Sequence, residues 1–171
     1  MNKTIFLVGA RAAGKTTLGK MLANKLSYSF IDTDCHLLEI TQKTVAEIVE
    51  KEGWEGFRAR ESQVLVDTTK PNRVIATGGG IVLAEQNRNF MKKNGMVFFL
   101  SAPASTLAER LMKDPNVAQR PSLTGLSIVD EMEKVLTERL PLYHDAAHHI
   151  INVNQDENLI VNQMVELLQS N

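Results

Sequence analysis

The chain reads as an α/β fold, a five-stranded parallel sheet with helices on both faces. Three observations point there. Short apolar runs alternate along the chain with longer segments of helical spacing, the pattern of repeated strand–helix units. One run, Met96-Val97-Phe98-Phe99-Leu100, is apolar throughout, as a central strand buried on both faces must be. The first run, Thr4-Ile5-Phe6-Leu7-Val8, leads directly into a glycine-rich turn and then a helix. With 171 residues there is enough chain for one domain, 1–171, around its own core.

That turn, Gly9-Ala10-Arg11-Ala12-Ala13-Gly14-Lys15-Thr16-Thr17, precedes Leu18, Met21, Leu22 and Leu26 at helical spacing. Strand, G-x-x-x-x-G-K-[ST] and helix, in that order, make a phosphate-binding loop. Its glycines let successive backbone N–H groups turn inward at a helix N-terminus, where an anion is favoured. Lys15 supplies a point charge for the β- and γ-phosphates, and Thr16 a hydroxyl for Mg²⁺. A nucleoside triphosphate is the expected ligand.

Bulk properties exclude other classes. A net charge of −1 gives no basic field for nucleic acid or a membrane surface. No apolar run approaches the ~18 residues of a membrane span, and the first strand leaves no room for a signal-peptide apolar region. Cys35 is the only cysteine, so an internal disulfide is impossible and a cytoplasmic location is expected.

Past the first helix, Ser29-Phe30-Ile31 forms a short strand ending in Asp32-Thr33-Asp34. If that ending is extended, Asp32 and Asp34 face one side. One carboxylate then serves Mg²⁺ and the other a substrate hydroxyl; the alternative for Asp34 is a helix cap. Thr44-Val45-Ala46-Glu47 is a capping box, and Gly53 separates its helix from another beginning near Trp54. On that helix Trp54, Arg58, Glu61 and Leu65 share a stripe flanked by Phe57 and Val64, with Arg60 off it. An arginine and a carboxylate within an apolar stripe are costly unless paired. They read either as a structural ion pair or as an arginine held for an anionic substrate.

Arg73-Val74-Ile75-Ala76-Thr77 is the third strand, and Gly78-Gly79-Gly80 at its end lets backbone approach a ligand. A metal-binding aspartate often ends this strand in phosphate-loop proteins. Glycine stands there instead, which leaves Asp32 as the candidate. Glu85 to Asn94 is an exposed helix stopped by Gly95, and Pro103 is placed at the N1 position of the next. Leu107, Ala108, Leu111 and Met112 form its inner face, flanked by Arg110.

Residues 113–125 lose all periodicity and read as a lid carrying Arg120. Ser127 caps a helix on which Arg139 projects near the middle of the Ile128 and Val135 face, a second arginine asking for an anion. Pro141 is expected to kink or end that helix. Ile150-Ile151-Asn152-Val153 is the fifth strand, and the last helix is expected to pack through Leu159, Ile160, Gln163, Met164, Leu167 and Leu168. His36, His144, His148 and His149 lack ligand spacing. The right-handed crossover rule gathers the ends of strands one, two and three along one crevice.

From Thr4 to about Val153 the chain resembles the shikimate kinases. The resemblance is carried by the phosphate loop, Phe30-Ile31-Asp32-Thr33-Asp34, Gly56-Phe57-Arg58-Ala59-Arg60-Glu61, Ala76-Thr77-Gly78-Gly79-Gly80, Arg120-Pro121 and Glu138-Arg139-Leu140-Pro141-Leu142-Tyr143. It implies a nucleoside-monophosphate-kinase-like domain with a mobile lid, moving the γ-phosphoryl group of ATP to the 3-hydroxyl of shikimate. It further implies Asp34, Arg58, Gly79 and Arg139 as substrate contacts, with Asp34, Lys15 and Arg120 in catalysis. ATP would meet Ala12, Ala13, Gly14, Lys15, Thr16, Thr17, Arg110 and Arg120, and Mg²⁺ would meet Thr16 and Asp32. Glu61 would orient Arg58. Many family members have a glycine where this chain has Ala12. The segment Asn152-Val153-Asn154-Gln155 also departs from a commoner family ending, so no adenine contact is assigned to it. A gluconate- or nucleotide-type kinase would use the same loop, but two inward arginines favour a carboxylate over a base or an uncharged polyol end. A nucleotide-binding regulator without catalysis is the third alternative. ATP and shikimate are the only partners expected, with no nucleic acid or membrane, and the chain is expected to be a monomer.

Overall fold

A computed structural model describes residues 2–113 and 127–170. The strands are β1 (Thr4–Val8), β2 (Ser29–Asp32), β3 (Arg73–Ala76), β4 (Met96–Ser101) and β5 (His149–Asn152). They pair in the order β2-β3-β1-β4-β5, every neighbouring pair parallel. The helices are α1 (Lys15–Leu26), α2 (Thr33–Thr41), α3 (Val45–Thr68), α4 (Glu85–Asn94), α5 (Ala104–Met112), α6 (Ile128–Ala146) and α7 (Glu157–Gln169). A 3-10 turn, Ile81–Leu83, follows β3.

Alternation along the central strands splits the core into two layers. Ile5, Leu7, Phe98 and Leu100 point to the side packed by α1, α5 and α7, with Leu22, Leu107 and Met164 among the partners. Phe6, Val8, Val97 and Phe99 point to the other side, against Leu65, Met91 and Tyr143 of α3, α4 and α6. A smaller cluster of Leu37, Ile48, Phe57 and Val64 joins α2 to α3. The sheet order puts the C-terminal ends of β2, β3 and β1 side by side, as the crossover rule requires.

Local signals account for most boundaries. Thr44 and Glu47 form the reciprocal capping box at the start of α3. Gly53, at φ 73° and ψ 174°, breaks α3 where the sequence places a boundary. Ser127 caps α6 by accepting the Asp130 N–H.

Several expectations are corrected. Pro103 is the N-cap of α5, one residue before N1, with ψ at 147°. Met112 is 61% exposed rather than part of the inner face. On α7, Leu159 and Gln163 face solvent and Val161 is buried with Ile160, Met164 and Leu168. The apolar stripe there is broad enough for either phase, and the packed one is centred near Ile160 and Met164. Helix α6 runs through Pro141 to Ala146. The carbonyl that loses its hydrogen bond belongs to Thr137, on an exposed face open to solvent, while Tyr143 and Ala146 beyond it are buried. The His148 ring Nδ1 accepts the Val97 N–H at 2.9 Å, and its backbone N–H donates to the Val97 carbonyl at 2.8 Å.

Candidate active site

The glycine-rich turn leaves β1 and enters α1 through Gly14, at φ 91°. Ala12 also has positive φ, 67°, an uncommon conformation for a residue with a Cβ. Lys15 Nζ donates to the carbonyls of Gly9 at 2.6 Å and Ala10 at 2.8 Å, so the ammonium lies across the mouth of the loop. Residues 11–17 line one side of a chamber of about 480 Å³; Asp32, Asp34, Gly78 and Gly79 line the other.

Asp32 and Asp34 reach this chamber by a different route from the one expected. Strand β2 ends at Asp32, and Asp34 lies in the first turn of α2. Asp32, not Asp34, is the cap: its Oδ1 accepts the N–H groups of Asp34 and Cys35. Its other oxygen, Oδ2, receives the Thr16 hydroxyl at 2.6 Å. The two aspartates share the chamber because a helix starts between them, and strand alternation plays no part.

The α3 stripe resolves as its pattern demands. Arg58 Nη1 donates to Glu61 Oε1 at 3.1 Å, and Glu61 is 2% exposed. The Arg58 guanidinium sits 5.2 Å from the ring centroids of both Trp54 and Phe57, which meet edge to face. Arg60 turns outward and pairs with Glu52 at 2.9 Å. Arg139 approaches from α6 and is buried, 9% exposed. Burial holds its pKa below the ordinary arginine value; the nearby Tyr143 opposes this, and the Arg58 charge adds to it. Both guanidiniums line one small cavity of about 30 Å³, room for little more than a water or a carboxylate. Arg11 and Leu111 line this cavity and the larger chamber alike, so the two adjoin.

The glycine triplet is small because of what surrounds it. A Cβ on Gly78 would lie 2.7 Å from Glu61 Oε2 and 2.8 Å from Asp34 Oδ1, and one on Gly80 would overlap the Arg58 guanidinium. Gly79 lies between, its carbonyl accepting the Tyr143 hydroxyl at 2.6 Å.

Arg110 does not line the chamber; it ties the loop to the segment after β5, donating to the Val153 carbonyl at 3.1 Å and the Ala12 carbonyl at 3.5 Å. Arg120 and nearly all of the 113–125 lid lie outside the described residues. Two residues escaped the sequence reading. Arg11 was given no role, although a charged residue inside a glycine-rich turn was a signal. Tyr143 was legible only as part of the Arg139 segment, because its partner Gly79 is remote in sequence.

Mg²⁺ fits the donors present. A hydroxyl and a carboxylate oxygen in contact are hard ligands, and Mg²⁺ commonly takes only one or two protein ligands besides water and phosphate. Among the described residues no three His, Cys, Asp or Glu side chains form a larger metal cluster.

Comparison with known proteins gives one answer. The shikimate kinase family model matches residues 11–169. A protein of Syntrophotalea carbinolica named shikimate kinase 2 is 56% identical over 99% of this chain and 98% of its own length. Its namesake from Yersinia enterocolitica is 55% identical over 98% and 97%. The solved structure of shikimate kinase from Acinetobacter baumannii in complex with shikimate is 36% identical, with a TM-score of 0.92 over 99% of this chain and 94% of that one. A gluconokinase from Sinorhizobium meliloti, at 17% identity and a TM-score of 0.55, shares the fold alone. A phosphate-binding loop, an arginine pair around one small cavity and similarity over nearly the whole chain therefore agree: this chain belongs to the shikimate kinase family.

Proposed function

We propose that the chain transfers the γ-phosphoryl group of ATP to the 3-hydroxyl of shikimate, giving shikimate 3-phosphate and ADP, a step toward aromatic amino acids. The observation that carries this reading is the convergence of Arg58 and Arg139, from separate helices, on one cavity beside the phosphate-binding chamber. That cavity accepts a carboxylate and leaves the ring in the larger chamber, under Asp34 and Gly79.

In the proposed mechanism the shikimate 3-oxygen attacks the γ-phosphorus in line. Its bond to phosphorus forms as the bond to the bridging oxygen of ADP breaks, and ADP leaves with the electron pair. Arg58 and Arg139 hold the carboxylate so that the hydroxyl meets the γ-phosphate; positioning of this kind lowers the barrier without covalent help from the protein. Asp34 accepts hydrogen bonds from the ring hydroxyls and takes the 3-hydroxyl proton. Lys15 leaves its loop carbonyls for the phosphates, residues 12–17 cradle them, and Arg110 borders the adenine side. Mg²⁺, held by Thr16 and Asp32, would neutralise phosphate charge. Arg120, brought by lid closure, would stabilise the transferring group and exclude water; Arg120→Ala should lower kcat by about 10³–10⁵-fold.

Among the described residues no helix is long and apolar enough to cross a membrane. A cytoplasmic monomer acting on small molecules suits the near-neutral surface.

The test is a coupled ADP-release assay with shikimate, gluconate and nucleoside monophosphates as acceptors. Turnover confined to shikimate is expected. Gluconate is the informative control, since it too carries a carboxylate. Equal or better turnover with it would reject the reading, and no turnover with any acceptor would favour a nucleotide-binding regulator.

A further inference from the structure

The glycine triplet touches both clamp arginines. Gly80 backs the Arg58 guanidinium so closely that no Cβ fits, and a Cβ on Gly79 would lie 3.7 Å from Arg139 Nη1. The triplet and the 3-10 turn after it are one folded piece: the Ile81 N–H donates to the Gly78 carbonyl and the Leu83 N–H to the Gly80 carbonyl, each at 3.1 Å. Ile81 and Val82 are buried in one core cluster with Leu65 of α3 and with Tyr143 and Ala146 of α6. Among the described residues α3 and α6 make little direct contact, while the turn packs against both. The helices that carry Arg58 and Arg139 therefore meet through this turn.

Two successive residues of α4 fasten it. A short turn leaves its last carbonyls for other donors to satisfy. Buried Asn87 donates from Nδ2 to the Ile81 carbonyl and to Ser62 Oγ on α3, both at 3.0 Å. Arg88 donates from Nη1 to the Val82 carbonyl and from Nε to Asp145 Oδ2 on α6, both at 2.7 Å. Each side chain thus has one hold on the turn and one on a helix bearing a clamp arginine. We propose that Asn87 and Arg88 are positioning residues, a yoke that keeps α3 and α6 at the spacing the substrate carboxylate needs between Arg58 and Arg139. Neither residue lines the phosphate chamber or the carboxylate cavity. The cavity itself is only about 30 Å³, so a small shift of either helix takes a guanidinium out of hydrogen-bond reach. Displacements of about 1 Å caused far from the chemistry are enough to impair such a site. The phosphate loop leads into α1 on the other face of the sheet, so ATP binding does not depend on the yoke.

The inference rests on the shikimate reading, so wild-type turnover with shikimate is established first; its absence would defeat that reading rather than this one. Two variants then release the yoke at different points. Asn87→Ala removes both holds of a buried side chain. Asp145→Ala removes only the acceptor for Arg88 Nε, from a side chain 52% exposed where an ion pair adds little stability and folding tolerates the change. Shikimate KM and Kd should rise about 2- to 30-fold, the range for substitutions that act on a site through intervening contacts, with the larger rise in Asn87→Ala. ATP KM, and kcat at saturating shikimate, should stay within about twofold. Residues that only support the fold would lower the melting temperature and the active fraction while leaving the KM of the folded molecules alone. An unchanged shikimate KM in Asp145→Ala would overturn the proposal, whether or not Asn87→Ala folds. In an Arg139→Ala background the Asn87→Ala effect on shikimate Kd should fall below about twofold, because one arginine has no spacing to keep. Losses that multiply in that double variant would overturn it too.

Discussion

The Thr16 hydroxyl and the Asp32 carboxylate meet at 2.6 Å across the gap between α1 and β2, while the second Asp32 oxygen caps α2. One side chain thus performs two jobs with two atoms. Asp32→Asn keeps an oxygen for the cap but removes the charge. It should melt within a few degrees of wild type yet need a much higher Mg²⁺ concentration for half-maximal turnover. Asp32→Ala should add a stability loss of about 1 kcal/mol from the missing cap. Thermal melts and Mg²⁺ titrations of both variants separate the roles; an unchanged Mg²⁺ requirement would remove Asp32 from the metal site.

Arg58→Ala should weaken shikimate binding by about 2–5 kcal/mol, the range for truncating one member of a desolvated charge pair. ATP affinity should hardly change, and equal losses for both ligands by calorimetry would contradict the clamp. The same variant takes from buried Glu61 its arginine, at a cost of about 1–3 kcal/mol in folding. Adding Glu61→Gln should recover part of that stability without recovering shikimate affinity.

Gly80→Ala addresses the same arginine from behind. The new methyl would occupy the space of the Arg58 guanidinium, a flexible tip that can move aside. Shikimate KM should therefore rise about tenfold or more, as a displaced charged hydrogen bond predicts, while the melting temperature falls little. A variant with wild-type KM would show that the position of Arg58 is not critical.

Ala12 holds φ at 67°, a conformation that costs a residue with a Cβ about 1–2 kcal/mol. Ala12→Gly should release that strain, less the extra entropy glycine loses on folding, for a net gain of up to about 1 kcal/mol. In a chain of this size that is a rise in melting temperature of about 2–4 °C. A fall in melting temperature would mean that the alanine methyl contributes more than the strain costs.

His148 makes folding pH-dependent at the far edge of the sheet. Burial lowers its pKa below the ordinary 6.5, helped by neighbouring His149 and Lys92, and its Nδ1 must be unprotonated to accept the Val97 N–H. The unfolded chain therefore binds this proton more readily than the folded one. Its stability contribution is complete above pH 6.5 and lost as pH falls from there through the depressed folded value. Urea unfolding of His148→Gln should show a flatter dependence across that window. An identical slope would assign the pH dependence to other groups.

Much of the fold could be read from local pattern. The phosphate loop, the capping box at Thr44, the break at Gly53 and the doubly buried β4 each depend on residues close in sequence, where periodicity and backbone preference act directly. The α3 stripe was legible too: a charged pair inside an apolar face has few ways to survive, and Arg58 with Glu61 takes one of them. The errors arose where a neighbour from elsewhere decided the outcome. Pro141 was expected to kink or end α6; the helix does not end there, because the residues beyond it are buried. Asp32 took the cap because β2 stops two residues short of Asp34 and α2 begins at once.

The sequence by itself determined that this protein has a nucleotide-binding α/β sheet and two arginines too buried to lack an anionic partner, since spacing alone says which face a side chain occupies. Only the tertiary structure decided that those arginines share a cavity, that the cavity adjoins the phosphate chamber, and that the Tyr143 hydroxyl donates to the Gly79 carbonyl. Those relations join residues as many as 81 positions apart, from Arg58 to Arg139, and no periodicity extends that far. Sheet order and helix packing bring such residues together, because burying both faces of the sheet leaves the chain few other ways to close.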